Sequence, residues 1–266
     1  MTALQLGDRI ANGTRSTVYA LGMDYVVKVP LAATPDSWIQ YEAIYTAAVC
    51  AAGAPAPQFV ETARYEGRLV SVYERLTGPS MWEYVVANPG DAESMGRVLG
   101  QLHGELFDLV PPVKLPNQRD RLACKIRSAT ASLAFQEAGY EDQIPKGVDR
   151  LALCHGDVHP GNVILTVDGP KFIDWFDACR GDSLGDVTRS MILLGGPETP
   201  YRAVPHLPGA TPEIMEPLYS NYCETILNVL SPTDASLSLW IGIEAAARLG
   251  EGLAVADLVA IWEQYR

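Results

Sequence analysis

The first 75 residues alternate short apolar, β-branched runs with turn signals. "LQLGDRIA", "STVYALG" and "DYVVKVPL" read as strands, separated by Asn-Gly and Gly-Met-Asp turns. Over 35–53 the pattern becomes helical, opened by Pro35 and Asp36 and closed by Gly53. "PQFVETARY" and "RLVSVYERL" return to strands, joined by a turn at Glu66-Gly67. Beyond residue 77 the chain is mostly helical. In "DAESMGRVLGQLHGELFDL", Met95, Leu99, Leu102 and Leu106 share one helical stripe. Gly96, Gly100 and Gly104 recur every four residues there, as close packing against a neighbouring helix requires. Further helices are predicted over 118–138, 212–230, 234–250 and 253–265, and "NVILT" and "PKFIDW" are short strand patterns. The expectation is an α+β chain of two lobes, a β-rich N-lobe over 1–76 and a helical C-lobe over 77–266, joined near Thr77-Gly78-Pro79.

One stretch breaks this pattern. "LCHGDVHPGNVIL" places His155, Asp157, His159 and Asn162 between apolar residues, where polar side chains are costly unless paired or put to chemical use. His155, Asp157 and His159 alternate, so on an extended strand they would point the same way, a metal-ligand pattern that admits a metallohydrolase. Pro160-Gly161 interrupts such a strand, however, and His103 and His206 stand alone.

A second reading takes in more residues. Asp157 is placed to accept a proton from a hydroxyl, and Asn162 to give an amide oxygen to a hard cation. Asp174 ends the short strand of "FIDW", and with Asn162 it suits Mg²⁺, which keeps phosphate oxygens and waters in its other positions. Asp157, Asn162 and Asp174 together would make a phosphoryl-transfer site. The N-terminal strands supply a phosphate-binding turn in "ANGTRSTVYAL", where Asn12, Gly13 and Ser16 bring backbone N–H groups forward. Lys28 follows on the next strand, and Glu42 sits on the helix after it, able to pair with the lysine. No G-x-x-x-x-G-K-[ST] occurs, which excludes a Walker-type loop.

Composition narrows the classes. The chain has 266 residues, 48% of them hydrophobic, with no low-complexity tract. No uncharged apolar run reaches the roughly 18 residues of a membrane span. The N-terminus has no basic segment leading into an apolar core, so no secretory signal is read there. The five scattered cysteines, without a Cys-x-x-Cys pair, argue against a disulfide framework or thiolate zinc site and fit a reducing cytoplasm. Net charge is −12 with no basic stripe, against a nucleic-acid binder. From residue 201 onward eight acidic residues face three arginines. That excess is either a solvated helical surface or an acidic wall for a cationic small molecule.

The ordered set resembles the aminoglycoside phosphotransferase-like family, the small-molecule branch of the protein-kinase-like fold. "HGDVHPGN" is similar to its catalytic loop, with Asp157 as catalytic aspartate and Asn162 as metal-binding asparagine. "IDW" resembles its second metal motif and gives that role to Asp174, while "GDSLGDVTRSMILL" offers Asp186 as a brace for the catalytic loop. "NGTRST" carries one glycine where eukaryotic protein kinases use three, as is usual for this branch. The resemblance implies a bilobal fold, bound ATP or GTP with Mg²⁺, and a kinase acting on a small-molecule hydroxyl. It places the nucleotide base at "SVYERLTG", against the C=O of Glu74 and the N–H of Leu76. An aminoglycoside acceptor would make the chain an antibiotic-resistance enzyme. Glu224, Glu244 and Glu251 would then form its carboxylate cluster, and His159 either lines that site or satisfies a carboxylate. Choline, homoserine, a sugar or a macrolide would use the same phosphate machinery, and a nucleotide-binding pseudokinase is a further alternative. "FDACRGDSLGD" is too short to dock a peptide substrate.

Overall fold

The computed structural model describes residues 4–128, 139–147, 150–195 and 207–251. The helix expected over 253–265, the end of the one expected over 118–138, and His206 lie outside them. The chain forms two compact units, Met1–Gly78 with Ile164–Phe176, and Pro79–Val163 with Asp177–Arg266. The α+β, bilobal architecture is the one expected: a small sheet-and-helix lobe and a larger helical lobe.

The first unit is built on a five-stranded antiparallel sheet in the order β1-β2-β3-β5-β4. Its strands are β1 (Arg9–Asn12), β2 (Ser16–Leu21), β3 (Tyr25–Pro30), β4 (Phe59–Tyr65) and β5 (Arg68–Glu74). Val27 and Val72 face each other across the β3–β5 pair and, with Val70, make a buried cluster over which Leu21, Val29 and Tyr65 pack. The β4–β5 turn uses Glu66 and Gly67 at φ 50° and 81°. Left-handed values at both central residues suit a two-residue hairpin, which is why the glycine sits there. Helix α1 (Asp36–Ala51) buries Ile39, Ala43 and Val49. A late hairpin, β7 (Val163–Thr166) with β8 (Gly169–Phe172), joins this unit, and Phe172 N–H donates to Pro55 C=O at 2.7 Å.

The second unit is helical. Ser80 and Glu83 cap α2 (Met81–Ala87) reciprocally, satisfying two of the N–H groups that a helix start leaves open. Helix α3 (Ala92–Leu106) lies against α6 (Pro212–Leu230), and the glycine spacing is explained by that contact. A Cβ on Gly96 would stand 2.3 Å from the Leu218 carbonyl oxygen, and one on Gly100 2.8 Å from Thr225 Cβ. α4 (Gln118–Ser128) and α7 (Asp234–Arg248) pack together, and α5 (Ser183–Leu194) is buried along nearly its whole length. β6 (Ala152–Cys154), paired antiparallel with β9 (Cys179–Gly181), leads into the loop that carries Asp157. Among the described residues no single helix is long and apolar enough to cross a membrane.

Candidate functional site

Each unit carries one group of the residues singled out by sequence. In the first, the β3 strand presents Lys28 to Glu42 on α1, and the two form a short charge-assisted hydrogen bond. Lys28 Nζ also lies 3.6 Å from Asp174 Oδ1. Burial works against the lysine charge, but Asp174 and Glu42 outweigh it and hold its pKa above the ordinary lysine value. Burial pushes the Glu42 carboxyl up, against the opposing pull of Lys28. Asp174 follows β8 at φ 63°, a left-handed backbone conformation that a residue with a Cβ rarely adopts. Strain of that kind persists where surrounding structure holds it, and it gathers at functional positions.

In the turn before β2, Asn12 and Gly13 are exposed and Ser16 is buried. The Gly13 N–H is already committed to the Ser16 carbonyl at 2.8 Å, which closes the turn. Arg15 lies over the Phe176 ring at 4.4 Å and over Trp38 at 5.9 Å, a cation–π contact that fixes one side of this turn. The Glu74 carboxylate accepts from Gln58 N–H at 3.0 Å and lies 3.5 Å from Lys171, while Leu76 is two residues past the end of β5.

In the second unit the Asp157 loop is built from α5 outward. The buried Asp186 accepts from His155 N–H at 2.7 Å through Oδ2 and from Gly156 N–H at 2.8 Å through Oδ1. His103 Nε2 stands 3.0 Å from the same carboxylate, and its Nδ1 is 2.9 Å from the Tyr222 hydroxyl. Burial alone would raise the Asp186 pKa, but His103 reverses that and holds it low. Gly156 has φ 80°, and a Cβ there would meet the Asp177 carbonyl oxygen at 2.3 Å, so only glycine fits. Asp186 is thus the loop brace expected of it.

Asp157 itself is surrounded by donors. Asn162 Nδ2 donates to its backbone oxygen at 2.9 Å and to Oδ2 at 3.1 Å. His159 Nδ1 accepts from Gly161 N–H, so the ring proton of the neutral form sits on Nε2, which is 3.7 Å from Asp157 Oδ2. Arg189 Nη2 stands 3.6 Å from Oδ1. Burial opposes ionisation, but His159 and Arg189 overcome it and hold the Asp157 carboxyl well below the usual carboxylate range. His159 is thus placed beside the Asp157 carboxylate.

In the second unit, with both Asn162 amide hydrogens spent on Asp157, its Oδ1 remains as an acceptor of the kind a hard cation takes. In the first unit, Asp174 offers a half-exposed carboxylate of the same kind. His155 and His159 each use Nδ1 on a backbone N–H, and among the described residues no three His, Cys, Asp or Glu side chains gather as a metal site.

Of the acidic residues expected to greet an acceptor, Glu244 and Glu251 both face Arg189 and Lys125. Glu224 is exposed on α6. Glu244 is buried on α7, with Oε2 unpartnered among the described residues, and burial pushes it up to about 7 despite Arg189 and Lys125. Glu251 is met by Lys125 at 2.8 Å, Arg189 at 3.2 Å and Arg248 at 3.8 Å, which outweigh its burial and pull it down to about 2. Sequence reasoning passed over Arg189, which donates to the Gly156 carbonyl and reaches both Asp157 and Glu251. Its signal was a lone arginine in the apolar helical run "DVTRSMILL".

The type VIII aminoglycoside-3'-phosphotransferase superposes with TM-score 0.60 at 20% identity, covering 91% of this chain and 93% of that one. A choline/ethanolamine kinase family protein from Mesorhizobium loti gives TM-score 0.56 at 18% identity, covering 98% and 85%. The aminoglycoside phosphotransferase APH(3'')-Id from Streptomyces rimosus gives TM-score 0.63 at 13% identity, covering 92% and 94%. At these identities the likeness is one of fold. No curated protein matches the chain. The model of the phosphotransferase enzyme family matches residues 7–218, which takes in both residue groups described above, and the chain belongs to that family.

Proposed function

We propose that this protein transfers the γ-phosphoryl group of ATP or GTP to a hydroxyl of a small molecule. The observation that carries the reading is Asp157. It is an ionised carboxylate held by Asn162, His159 and Arg189 on a loop tied twice to Asp186. Transition states of phosphoryl transfer are loose, so the protein's contribution is position and charge. Asp157 accepts a hydrogen bond from the attacking hydroxyl, aligns its lone pair and takes its proton as the new P–O bond forms and the bond from the γ-phosphorus to the departing nucleoside diphosphate breaks. The low pKa makes Asp157 a weak base, so orientation is the larger part of that contribution. Lys28, fixed by Glu42, lies against the nucleotide phosphates. Asp174 and Asn162 Oδ1 are the groups that would hold Mg²⁺, whose chemistry here is neutralisation of phosphate charge. Asn12, Gly13 and Ser16 border the phosphates, and the Glu74 carbonyl and Leu76 N–H meet the base. The setting is the cytoplasm.

An aminoglycoside is suggested by the names of similar folds and by the acidic C-terminal sequence, yet Glu251 is neutralised and Glu244 buried. These contacts do not favour a polycation.

The test is Asp157→Asn, read by nucleotide consumption over a panel of alcohols and by calorimetric nucleotide binding. Turnover is expected to fall about 10²–10⁴-fold while nucleotide affinity stays unchanged. Undiminished turnover would overturn the assignment.

A further inference from the structure

At the end of the β6–β9 pair away from Asp157, the second unit holds a cavity of about 420 Å³. Small-molecule pockets run from about 300 to 1,000 Å³, whereas one water takes about 30 Å³. The cavity is separate from the small one beside Gly156 and Asp177, with which it shares only Gln118. Gln118 fixes its floor. That side chain is buried, its Oε1 accepts from Asp182 N–H at 2.8 Å, and its Nε2 donates to the Asp182 carbonyl at 3.2 Å. A Cβ on Gly181 would stand 2.3 Å from Gln118 Oε1, so only glycine lets the strand approach the amide this closely. Ile144, Leu151 and Trp240 form an apolar wall. The Trp240 ring is held against α5, where a Cβ on Gly185 would meet its Cζ3 at 2.7 Å. The cavity is therefore preformed.

The charges around it do not cancel. Asp182 caps α5, its Oδ1 accepting from Leu184 N–H at 2.9 Å, and Asp120 lies in the first turn of α4. Each of these carboxylates is offset by the positive helix start on which it sits. Arg119 and Lys146, which also line the cavity, have no such counterpart. Among the described residues neither forms an ion pair, and the one side-chain hydrogen bond of Arg119 runs from Nε to the Ile144 carbonyl at 3.4 Å. The chain has 32 acidic residues against 20 basic ones, so two cations without a carboxylate at one cavity run against its composition. We propose that this cavity is a second small-molecule site, apart from the Asp157 loop, and that it takes an organic anion, a carboxylate or phosphate on a flat apolar body. The Nη groups of Arg119 and Nζ of Lys146 would meet the anionic oxygens, and the body would lie along Trp240, Ile144 and Leu151. A cationic ligand would be repelled by the same pair, and a neutral one would leave both charges unanswered. The rim is open at Gly147, where a Cβ would meet nothing within 4 Å. The proposal does not rest on the phosphotransferase reading.

The experiment uses four compounds of one body and different charge: benzoate, phenyl phosphate, benzyl alcohol and benzylamine. Each is titrated by calorimetry into the full chain at constant ionic strength, with and without a non-hydrolysable magnesium nucleotide. Benzoate or phenyl phosphate is expected to bind at least about 10-fold more tightly than benzyl alcohol, and the better of the two identifies the anionic group. Benzylamine should bind most weakly, although the net charge of −12 attracts cations to the chain as a whole. Arg119→Gln should weaken anion binding by about 10- to 100-fold, the range of a hydrogen bond to a charged group. Lys146 is exposed, so Lys146→Gln should weaken it by only about 2- to 5-fold. Gly147→Asp sets a carboxylate at the open rim without disturbing packing, so it should weaken the anions and leave benzyl alcohol unchanged. Thermal unfolding of the three variants should match the wild type, which reports that they are folded. Absence of anion binding to the wild type, or benzyl alcohol or benzylamine binding as tightly as the anions, overturns the proposal. Anion binding unmoved by both Arg119→Gln and Gly147→Asp overturns it too. Anions that bind only when the nucleotide is left out have found the groups around Lys28 instead, and that result also overturns it.

Discussion

The oxygens of Asp186 do the work of a small scaffold: two consecutive backbone N–H groups and one imidazole converge on a single carboxylate. Asp186→Asn keeps the shape but turns one acceptor into a donor facing a donor, which leaves a buried group unsatisfied at a cost of about 1–3 kcal/mol. Because His155 and Gly156 would then lose their anchor, Asp157 is expected to drift and kcat to fall about 10²-fold, with nucleotide binding unchanged. Steady-state kinetics beside nucleotide calorimetry would show it, and an unchanged kcat would remove Asp186 from the positioning role. Residues of this kind were legible in sequence where spacing is local. Asp157, Asn162 and Asp174 lie within one short stretch, and Lys28 and Glu42 on successive elements. Arg189 was not, because its partners lie 33 and 62 residues away and neither neighbourhood announces the other. Arg248 is one of the three arginines of the acidic C-terminal stretch, and only burial distinguishes it from a solvated arginine.

Between elements, α3 and α6 approach so closely that three glycines at one spacing have three different tolerances. A methyl group on Gly96 would sit 2.3 Å from a backbone carbonyl oxygen, which cannot yield, whereas one on Gly104 would meet Ile226 Cδ1 at 3.4 Å. Alanine gains about 1 kcal/mol over glycine in a helix interior. At Gly104 that gain should survive, making Gly104→Ala neutral to slightly stabilising. At Gly96 overpacking of about 1–3 kcal/mol or more wins, and Gly96→Ala should be destabilising. Thermal unfolding of the two variants decides it, and equal effects would show that the helices can separate freely. The glycine spacing foretold a close neighbour without saying which helix. Likewise "NVILT" and "PKFIDW" were legible as strands by alternation and β-branching, since those are properties of neighbours in sequence. That this hairpin clusters with the first 78 residues depends on contacts such as Phe172 to Pro55, which leave no periodic trace.

For the whole molecule the decisive quantity is how its buried charges respond to pH. Glu244 is a carboxyl buried among Arg189 and Asp186 on α5, Lys125 on α4, and Glu251 and Arg248 beyond it, bordering a cavity of about 20 Å³ just large enough for one water. Its pKa is pushed up to about 7 from 4.5, chiefly by burial. In the unfolded chain it ionises earlier, so the folded state binds the extra proton between those two values. Stability must therefore fall as pH rises from about 4.5 to about 7, and level off above that range. Glu251 acts in the opposite sense, because its arginine and lysine partners pull it down to about 2. The stability it contributes is complete above its ordinary pKa of 4.5 and is lost as pH falls toward 2. Asp157, Asp177 and Asp186, also held low, add to that acidic limb. A net charge of −12 makes the neutral side worse through self-repulsion. The expected profile has its maximum on the acidic side, near pH 5, with a decline toward neutrality. Glu244→Gln removes the titrating group while filling the same space, so the variant should lose part of that decline and gain on the wild type progressively from pH 5 to 7. Thermal unfolding at constant ionic strength across this range measures the difference. A gap between the two proteins that does not change with pH would show that Glu244 is ionised throughout, its charge compensated by Arg189 and Lys125 after all.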